Sequence, residues 1–562
     1  MKYIDNILSA VYNQLTKCIK PDEVKGRSPY PCKGNRWSNL KKEPFFKETF
    51  RYQNLLWMGL WKELGFIAKV AVEVMLSGKN TEDIQAETEL FYFYYAVYPF
   101  FDSGKCSKAT TFLFISKRRK EKMSNTNTEM KKEMGVFSAM TVVVGCVIGS
   151  GVFFKPTAMY TATAGAPGLA IVAWIVTSLM CLCAAMTFAE IAILMPETGG
   201  MPVYLKRVFG EKVGYLCGWM QTVIFYPGLV AALGVAVANQ AKLFIGDGMV
   251  VPVAMACILI MVILNCMGSK VGAAAQNIFT VAKLVPLVLI MIFGFIRGNG
   301  NPIFDPMLGE GLSMGSVLGQ LMIAVLFAFE GWTNVGAIAG EMKDPGKDLP
   351  KAVVGGVAMI MAVYVIVNLA YLWVLPADVM MNLESPASAV AMEIFGDMGG
   401  KFVSVGIMIS AGGACNGFIL SGSRTALYMA EQGDLPGSKT LAKISKNGVP
   451  ANCIYLIGIL GAIYALTGQF DLLTNLGTFV GWVFYTLTFA AVMAYRKQAP
   501  DVERTYKVPL YPVIPIISIA SGCYVLINQL FMCGMGTTMI AVGGIVLVLI
   551  GLPVRAIFCK KK

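Results

Sequence analysis

Val142-Val-Val-Gly-Cys-Val-Ile-Gly-Ser-Gly-Val-Phe-Phe154 lies in an apolar stretch long enough to cross a bilayer, with Gly149-Ser150-Gly151 at its middle. Three small residues in succession are poor helix formers. The stretch therefore reads as a membrane helix that unwinds near the midplane. Unwound chain at that depth is tolerated only inside protein or beside a watery cavity. It frees backbone groups of both signs. A half-helix starting near Gly151 turns amide N–H groups toward the gap, a seat for an anion. A half-helix ending near Val147 leaves carbonyl oxygens, a seat for a cation. A zwitterionic amino acid carries one charge of each sign on a single carbon. The same glycines also suit close packing of helices, and this stretch alone does not separate the two readings.

Composition narrows the class. The chain has 562 residues, of which 56% are hydrophobic and 14% charged, against about 25% charged in soluble domains. That is the balance of a multi-span membrane protein. The net charge of +13 then marks cytoplasmic loops and the lipid surface rather than nucleic acid. No residue is His, which removes His-ligated metal sites, bases and proton relays. The 14 Cys are scattered, mostly in apolar segments without a C-x-x-C pair, and read as small apolar residues. No P-loop and no nucleophile–base constellation is visible, so neither ATP coupling nor an enzyme is expected, and no cofactor or metal is called for.

Twelve apolar segments of about 20 residues or more are counted between residues 135 and 558, each matching a hydrocarbon core about 30 Å thick. The fourth and ninth fall at 249–268 and 450–468. Positive charge collects in alternate loops, as in Lys206 and Arg207, Lys343 and Lys347, Lys439 and Lys443. The opposite loops hold only Lys155, Lys242, Arg297 and Lys401. Positive loops stay inside, which puts both termini in the cytoplasm. Residues 1–122 differ from the rest and hold no clear span. Arg118-Arg-Lys-Glu-Lys122 directly precedes Met123, and all five can be purine-only codons, like a ribosome-binding site read through in frame. The span-bearing domain is expected to be 123–562, with 1–122 either upstream sequence translated in error or a cytosolic extension.

Segment six repeats the device of segment one. Phe327-Ala-Phe-Glu-Gly-Trp-Thr-Asn334 puts a carboxylate and a glycine mid-span. Interrupted first and sixth helices suggest a five-plus-five inverted repeat with a site between the breaks, and two extra helices outside it.

These residues carry a resemblance. Gly149-Ser-Gly151, Gly165-Ala-Pro-Gly168, Phe188-Ala-Glu190, Pro196-Glu-Thr-Gly-Gly200, Phe209-Gly210 and Glu341-Met-Lys-Asp-Pro-Gly-Lys-Asp-Leu-Pro350 resemble the amino acid–polyamine–organocation superfamily. The likeness is greatest to its L-type amino acid transporter family, including bacterial serine/threonine exchangers, and runs from about Lys132 to the C-terminus. It implies an all-α transporter with alternating access. It implies that the substrate carboxylate meets Gly149, Ser150 and Gly151. The amine would meet carbonyls of Val147, Phe327, Ala328 and Glu330, with Phe327 as aromatic gate. Eukaryotic relatives carry a Cys in the loop after span three that links a glycoprotein subunit. Lys242-Leu-Phe-Ile-Gly-Asp-Gly-Met249 has none, so no heavy-chain partner and a bacterial plasma membrane are expected.

Lys283 is the sharpest single residue. A Lys at mid-bilayer costs about 2.5–3.5 kcal/mol on insertion scales, so it should face the bundle. By the resemblance it stands where sodium-coupled relatives hold a cation, bridging segments one and eight; the plain alternative is a structural interior ion pair. Glu330 could attract a cationic substrate, be protonated, or leave binding to its backbone. Asn416 is expected near the site, bonded to substrate, Lys283 or backbone. Trp332 reads as packing, Asn334 as a weaker contact, and Glu190 and Glu341 as ion-pair or gate residues, with Arg424 a partner. The function read from these residues is sodium-independent exchange of neutral amino acids. A proton-coupled or cationic amino acid/polyamine antiporter and a non-transporting sensor are the competing readings.

Overall fold

The computed structural model describes residues 134–246, 248–531 and 535–559. The expectations for residues 1–122, including a start at Met123, lie outside the described residues. Among the described residues the regular structure is helical, with one isolated bridge pairing Met134 with Met342. The first expected segment is two helices, α1 (Val136–Val147) and α2 (Gly151–Ala162). It is followed by α3 (Gly168–Leu194), α4 (Met201–Phe209) and α5 (Glu211–Met220), which runs through a π turn at Gln221–Phe225 into α6 (Tyr226–Ile245). Next come α7 (Val250–Cys266), α8 (Ser269–Arg297) and α9 (Met314–Ala328), then a 3-10 helix at Trp332–Glu341. The chain continues through α10 (Pro345–Val374), α11 (Pro386–Phe395), α12 (Asp397–Glu431) and α13 (Ala451–Ala465) to α14 (Phe470–Gln498), α15 (Val513–Phe531) and α16 (Met535–Phe558).

Ten of these helical stretches are long and apolar enough to cross a membrane. The chain is a multi-pass membrane protein. α7 and α13, expected as full spans, have 17 and 15 residues and fall short of a perpendicular crossing at 1.5 Å per residue. α11 was not expected: its ten residues are too few for a span signal. The loop reading of Lys155 is corrected, because it lies inside α2 and is 8% exposed.

Burial separates centre from rim. The most apolar stretch of Glu211–Ile245 is 94% buried within the protein, while that of Thr538–Phe558 is 22% buried and left to lipid. Small residues let the central helices close up, as at Gly422 of α12, where an added Cβ would sit 2.7 Å from Tyr226 of α6.

Buried charge pins one end of the bundle. Glu190 of α3 takes two bonds from Arg496 of α14, at 2.6 and 2.5 Å, and one from the amide of Val508 at 2.7 Å, with Arg504 at 3.6 Å. Arg424 of α12 donates to Glu341, the last residue of the 3-10 helix, at 2.8 Å. Both pairs match the ion-pair reading. The bridge tightens the same end: the Met134 amide donates to Glu341 O at 3.0 Å and the Lys343 amide to Met134 O at 2.9 Å. Removing one partner of a buried pair leaves the other charge unpaired. Glu190→Ala should therefore lower stability by about 3 kcal/mol or more, read as a fall in the unfolding temperature of the purified protein in detergent.

Candidate functional site

The first break is short. α1 ends at Val147, and Ile148 leaves helical geometry with φ −73° and ψ 80°. α2 then restarts at Gly151, with Ser150 O accepting from the amides of Phe153 at 3.1 Å and Phe154 at 3.2 Å. The amides of Gly151 and Val152 precede the first of these bonds and have no acceptor within the helix, and Ser150 and Gly151 both line the gap. The Ser150 hydroxyl is buried and has no hydrogen-bond partner among the described residues. This is a concentration of donors at a helix N-terminus.

The second break is a turn at Phe329–Gly331. Gly331 has φ +116°, which a side chain would strain, and the chain leaves it as the ten-residue 3-10 helix. The two breaks lie against each other. A Cβ added to Gly151 would stand 2.5 Å from Ala328 Cα, and one on Gly331 would stand 2.9 Å from Cys146 Cβ.

The acceptor pole is organised by two side chains. Tyr364 of α10 places its hydroxyl 3.0 Å from Val147 O and 2.9 Å from Ala328 O. A hydroxyl has one proton, so it serves one of these carbonyls at a time, while Val147 O also accepts from the Gly149 amide at 2.7 Å. An ammonium with three protons suits that pair better. Lys283 of α8 is fully buried and donates to Gly145 O at 2.7 Å, Ile148 O at 2.6 Å and Ser410 O at 3.0 Å. Three protons meet three carbonyls, two of them at the C-terminal end of α1, where a positive charge is favoured. Ser410 of α12 donates its hydroxyl to Ile148 O at 3.0 Å and Gly149 O at 2.9 Å. Lys283 thus joins α8 to the first break and to α12, and no carboxylate among the described residues pairs with it.

A cavity lies between the poles, lined by Val147, Gly149, Ser150, Gly151, Phe327 and Glu330, and walled by Cys146, Leu233 and Phe418. About 20 Å³ of it is open to the centre of a water molecule, room for about one water, so an amino acid enters only when the walls move. Glu330 is 5% exposed. Its Oε1 accepts from the Tyr485 hydroxyl of α14, which in turn accepts from Thr333 at 3.2 Å. Its Oε2 has no hydrogen-bond partner among the described residues. Trp332 sits below, edge-on to Phe188 at 5.4 Å and tilted on Tyr485 at 5.9 Å.

Residues 134–551 match the amino acid permease family. The chain belongs to that family. It is 36% identical over 448 residues to the serine/threonine exchanger SteT of Bacillus subtilis, covering 78% of this chain and 100% of that protein. It is 29% identical over 422 residues to the human b(0,+)-type amino acid transporter 1, covering 72% of this chain and 84% of that one. With the human large neutral amino acids transporter small subunit 2 it shares 28% over 429 residues, 74% and 79% of the two chains. The motif resemblance is thereby borne out, and a permease is a transporter rather than an enzyme.

Of the residues expected at the site, six line the permease cavity. Ala328 contributes the carbonyl shared by Tyr364. Asn416 is placed elsewhere: it donates to Gln276 at 2.8 Å and accepts from Asn265 at 2.8 Å. Its amide is held in a buried chain joining α7, α12 and α8, away from the cavity lining. Asn334 is buried in the 3-10 helix and also off the lining. Sequence reasoning missed Tyr364 and Tyr485, because a tyrosine in an apolar helix carries the signature of core.

Lys283→Ala removes three charge-assisted bonds from the first break. It should cut substrate uptake into liposomes about tenfold or more while the protein still elutes as a single species. Tyr364→Phe keeps the ring and deletes only the hydroxyl, and should raise the KM for the amino acid several-fold with a smaller effect on maximal rate. Equal KM values for the two proteins would remove the hydroxyl from the acceptor pole.

Proposed function

We propose that this permease exchanges small neutral amino acids across a bacterial plasma membrane by alternating access, without sodium. The observation that carries the reading is the contact of the two chain breaks around one small cavity. The substrate carboxylate is read onto the amides of Gly149, Ser150 and Gly151 and the Ser150 hydroxyl. Its ammonium is read onto the carbonyls of Val147, Phe327, Ala328 and Glu330, with Phe327 above as the gate. Asn416 supports the frame behind the site rather than touching the substrate. Lys283 supplies a resident positive charge at the end of α1, so no dissolved cation is needed there. The restricted cavity and apolar walls at Leu233 and Phe418 favour small side chains, in keeping with a relative named as a serine/threonine exchanger.

Counting α7 and α13 as spans that thin the bilayer around them gives the twelve of the sequence reading, with helices one to ten as two inverted sets of five and both termini in the cytoplasm. The exchange reading has no cofactor, and no heavy-chain subunit enters it. No bond is broken, and the work is differential binding to the two facing states.

Counterflow in proteoliposomes tests this. Liposomes loaded with unlabelled serine or threonine should take up the labelled amino acid faster than empty ones, equally in sodium and in choline. A requirement for sodium, or equal uptake by empty vesicles, would overturn the exchange reading. One observation favours a second reading, a proton-coupled or cationic amino acid antiporter: Glu330 lines the cavity, and no ion pair involves it among the described residues. If that carboxylate receives a cationic side chain, Glu330→Gln should lower arginine or lysine uptake about tenfold and spare serine.

A further inference from the structure

The cavity is covered toward α2 by one layer of side chains. The Phe327 ring lines the cavity and meets Phe470 edge-on at 5.7 Å. Phe470 also packs on Phe154 at 6.0 Å. Into this layer Lys155 brings its ammonium, one helical turn beyond Gly151. Its Nζ stands 4.6 Å from the centroid of Phe327 and 5.5 Å from that of Phe470, and 3.3 Å from Asp471 Oδ1. The Lys155 side chain is 11% exposed and that of Asp471 81%. The solvent boundary thus falls between the two partners of this ion pair.

An ammonium has three N–H donors and no acceptor. Asp471 takes one, and the two aromatic faces take the positive charge by its attraction to their π clouds, which strengthens where water is excluded. Lys155 belongs to α2, Phe327 to α9, and Phe470 and Asp471 to the start of α14. One charge therefore gathers three separate elements above the substrate cavity. A neutral residue in its place would leave two rings in apolar contact, free to part. A buried ammonium that lost the rings would need water or its carboxylate alone, so the closed position of Phe327 and the position of Lys155 are interdependent.

We propose that Lys155 is the positioning residue of the outer lid, holding the Phe327 ring over the cavity while Asp471 holds Lys155 at the solvent boundary. Breaking either contact frees the mouth on that side and leaves the opposite closure, at Glu341 and Arg424, unchanged. The proposal deepens the transport reading, since it concerns access to the same cavity, but its main readout needs no substrate.

Cys146 lines the cavity and is a free thiol, so its modification by a membrane-impermeant methanethiosulfonate reports access. In sealed right-side-out vesicles, with Cys146→Ser as background, Lys155→Met should label about five- to thirtyfold faster than the parent. Asp471→Asn should label about two- to fivefold faster, as for a half-exposed ion pair, and Lys155→Arg should stay slow. Combining Lys155→Met with Phe327→Leu should add little to either alone, because one acts through the other. In counterflow, Lys155→Met should raise the external KM and leave the internal one unchanged. Parent-like labelling in a Lys155→Met protein that elutes as a single species overturns the proposal. So does acceleration only from the inner side, or full additivity with Phe327→Leu. If labelling responds as described but no amino acid is exchanged, the lid stands and the transport reading fails.

Discussion

Bare peptide groups inside a membrane must be surrounded by protein, and the rest of this structure follows from that constraint. Two helices open their backbones at mid-depth, at Ile148–Ser150 and Phe329–Gly331. In hydrocarbon each exposed amide or carbonyl would be costly. Here the two gaps face each other across glycines, so most of each is covered by the other. What remains uncovered is selective: donors at the head of α2, acceptors at the tails of α1 and α9. Tyr364, Lys283 and Ser410 then partner the acceptors in a graded way. Ile148 O takes Lys283 and Ser410, Gly145 O takes the ammonium, Val147 O takes the Gly149 amide and the Tyr364 hydroxyl, and Ala328 O faces that same hydroxyl.

The same economy governs charge. Lys283 lies deep without a carboxylate because helix-end carbonyls neutralise it. Glu330 lies at the cavity with a phenol and, among the described residues, no cation. Glu190 and Glu341, buried at the other end of the bundle, each have an arginine. Lys155, over the cavity, is shared between Asp471 and two rings, and the arginine pairs hold the frame. Helical irregularity is distributed likewise. The π turn at Gln221–Phe225 and the 3-10 helix at Trp332–Glu341 both lie next to the site, where departures from α geometry are commonest.

Much of this was legible in the residues. Gly149-Ser150-Gly151 and Glu330-Gly331 break an apolar pattern, and breaks are visible because small or charged residues do not belong at mid-span. Lys283 was legible for the same reason. Tyr364 was not, since its hydroxyl matters only once α10 is known to pass both breaks. Asn416 was expected nearer the cavity than it lies, because a polar residue on a buried helix declares a hydrogen bond but not its partner; beside the backbone partner the reading allowed, Gly272 O at 3.4 Å, its side-chain partners Asn265 and Gln276 come from two other helices. Lys155 was counted as a loop cation, because position in the chain says nothing of aromatic rings from α9 and α14. The lengths of α7 and α13 were overestimated because hydropathy continues past the last helical turn.

The bridge between Met134 and Met342 bears on how the two broken segments can move. α1 and the 3-10 helix are fastened to each other twice, at the glycine contact beside the cavity and again at this short backbone ladder on the far end. A beam held at one point can swivel, but one held at two cannot. Independent hinging of either piece would tear backbone bonds at one attachment, whereas joint rotation preserves both. Mechanically the pair is a single lever with its load at the cavity and its handle at Met342.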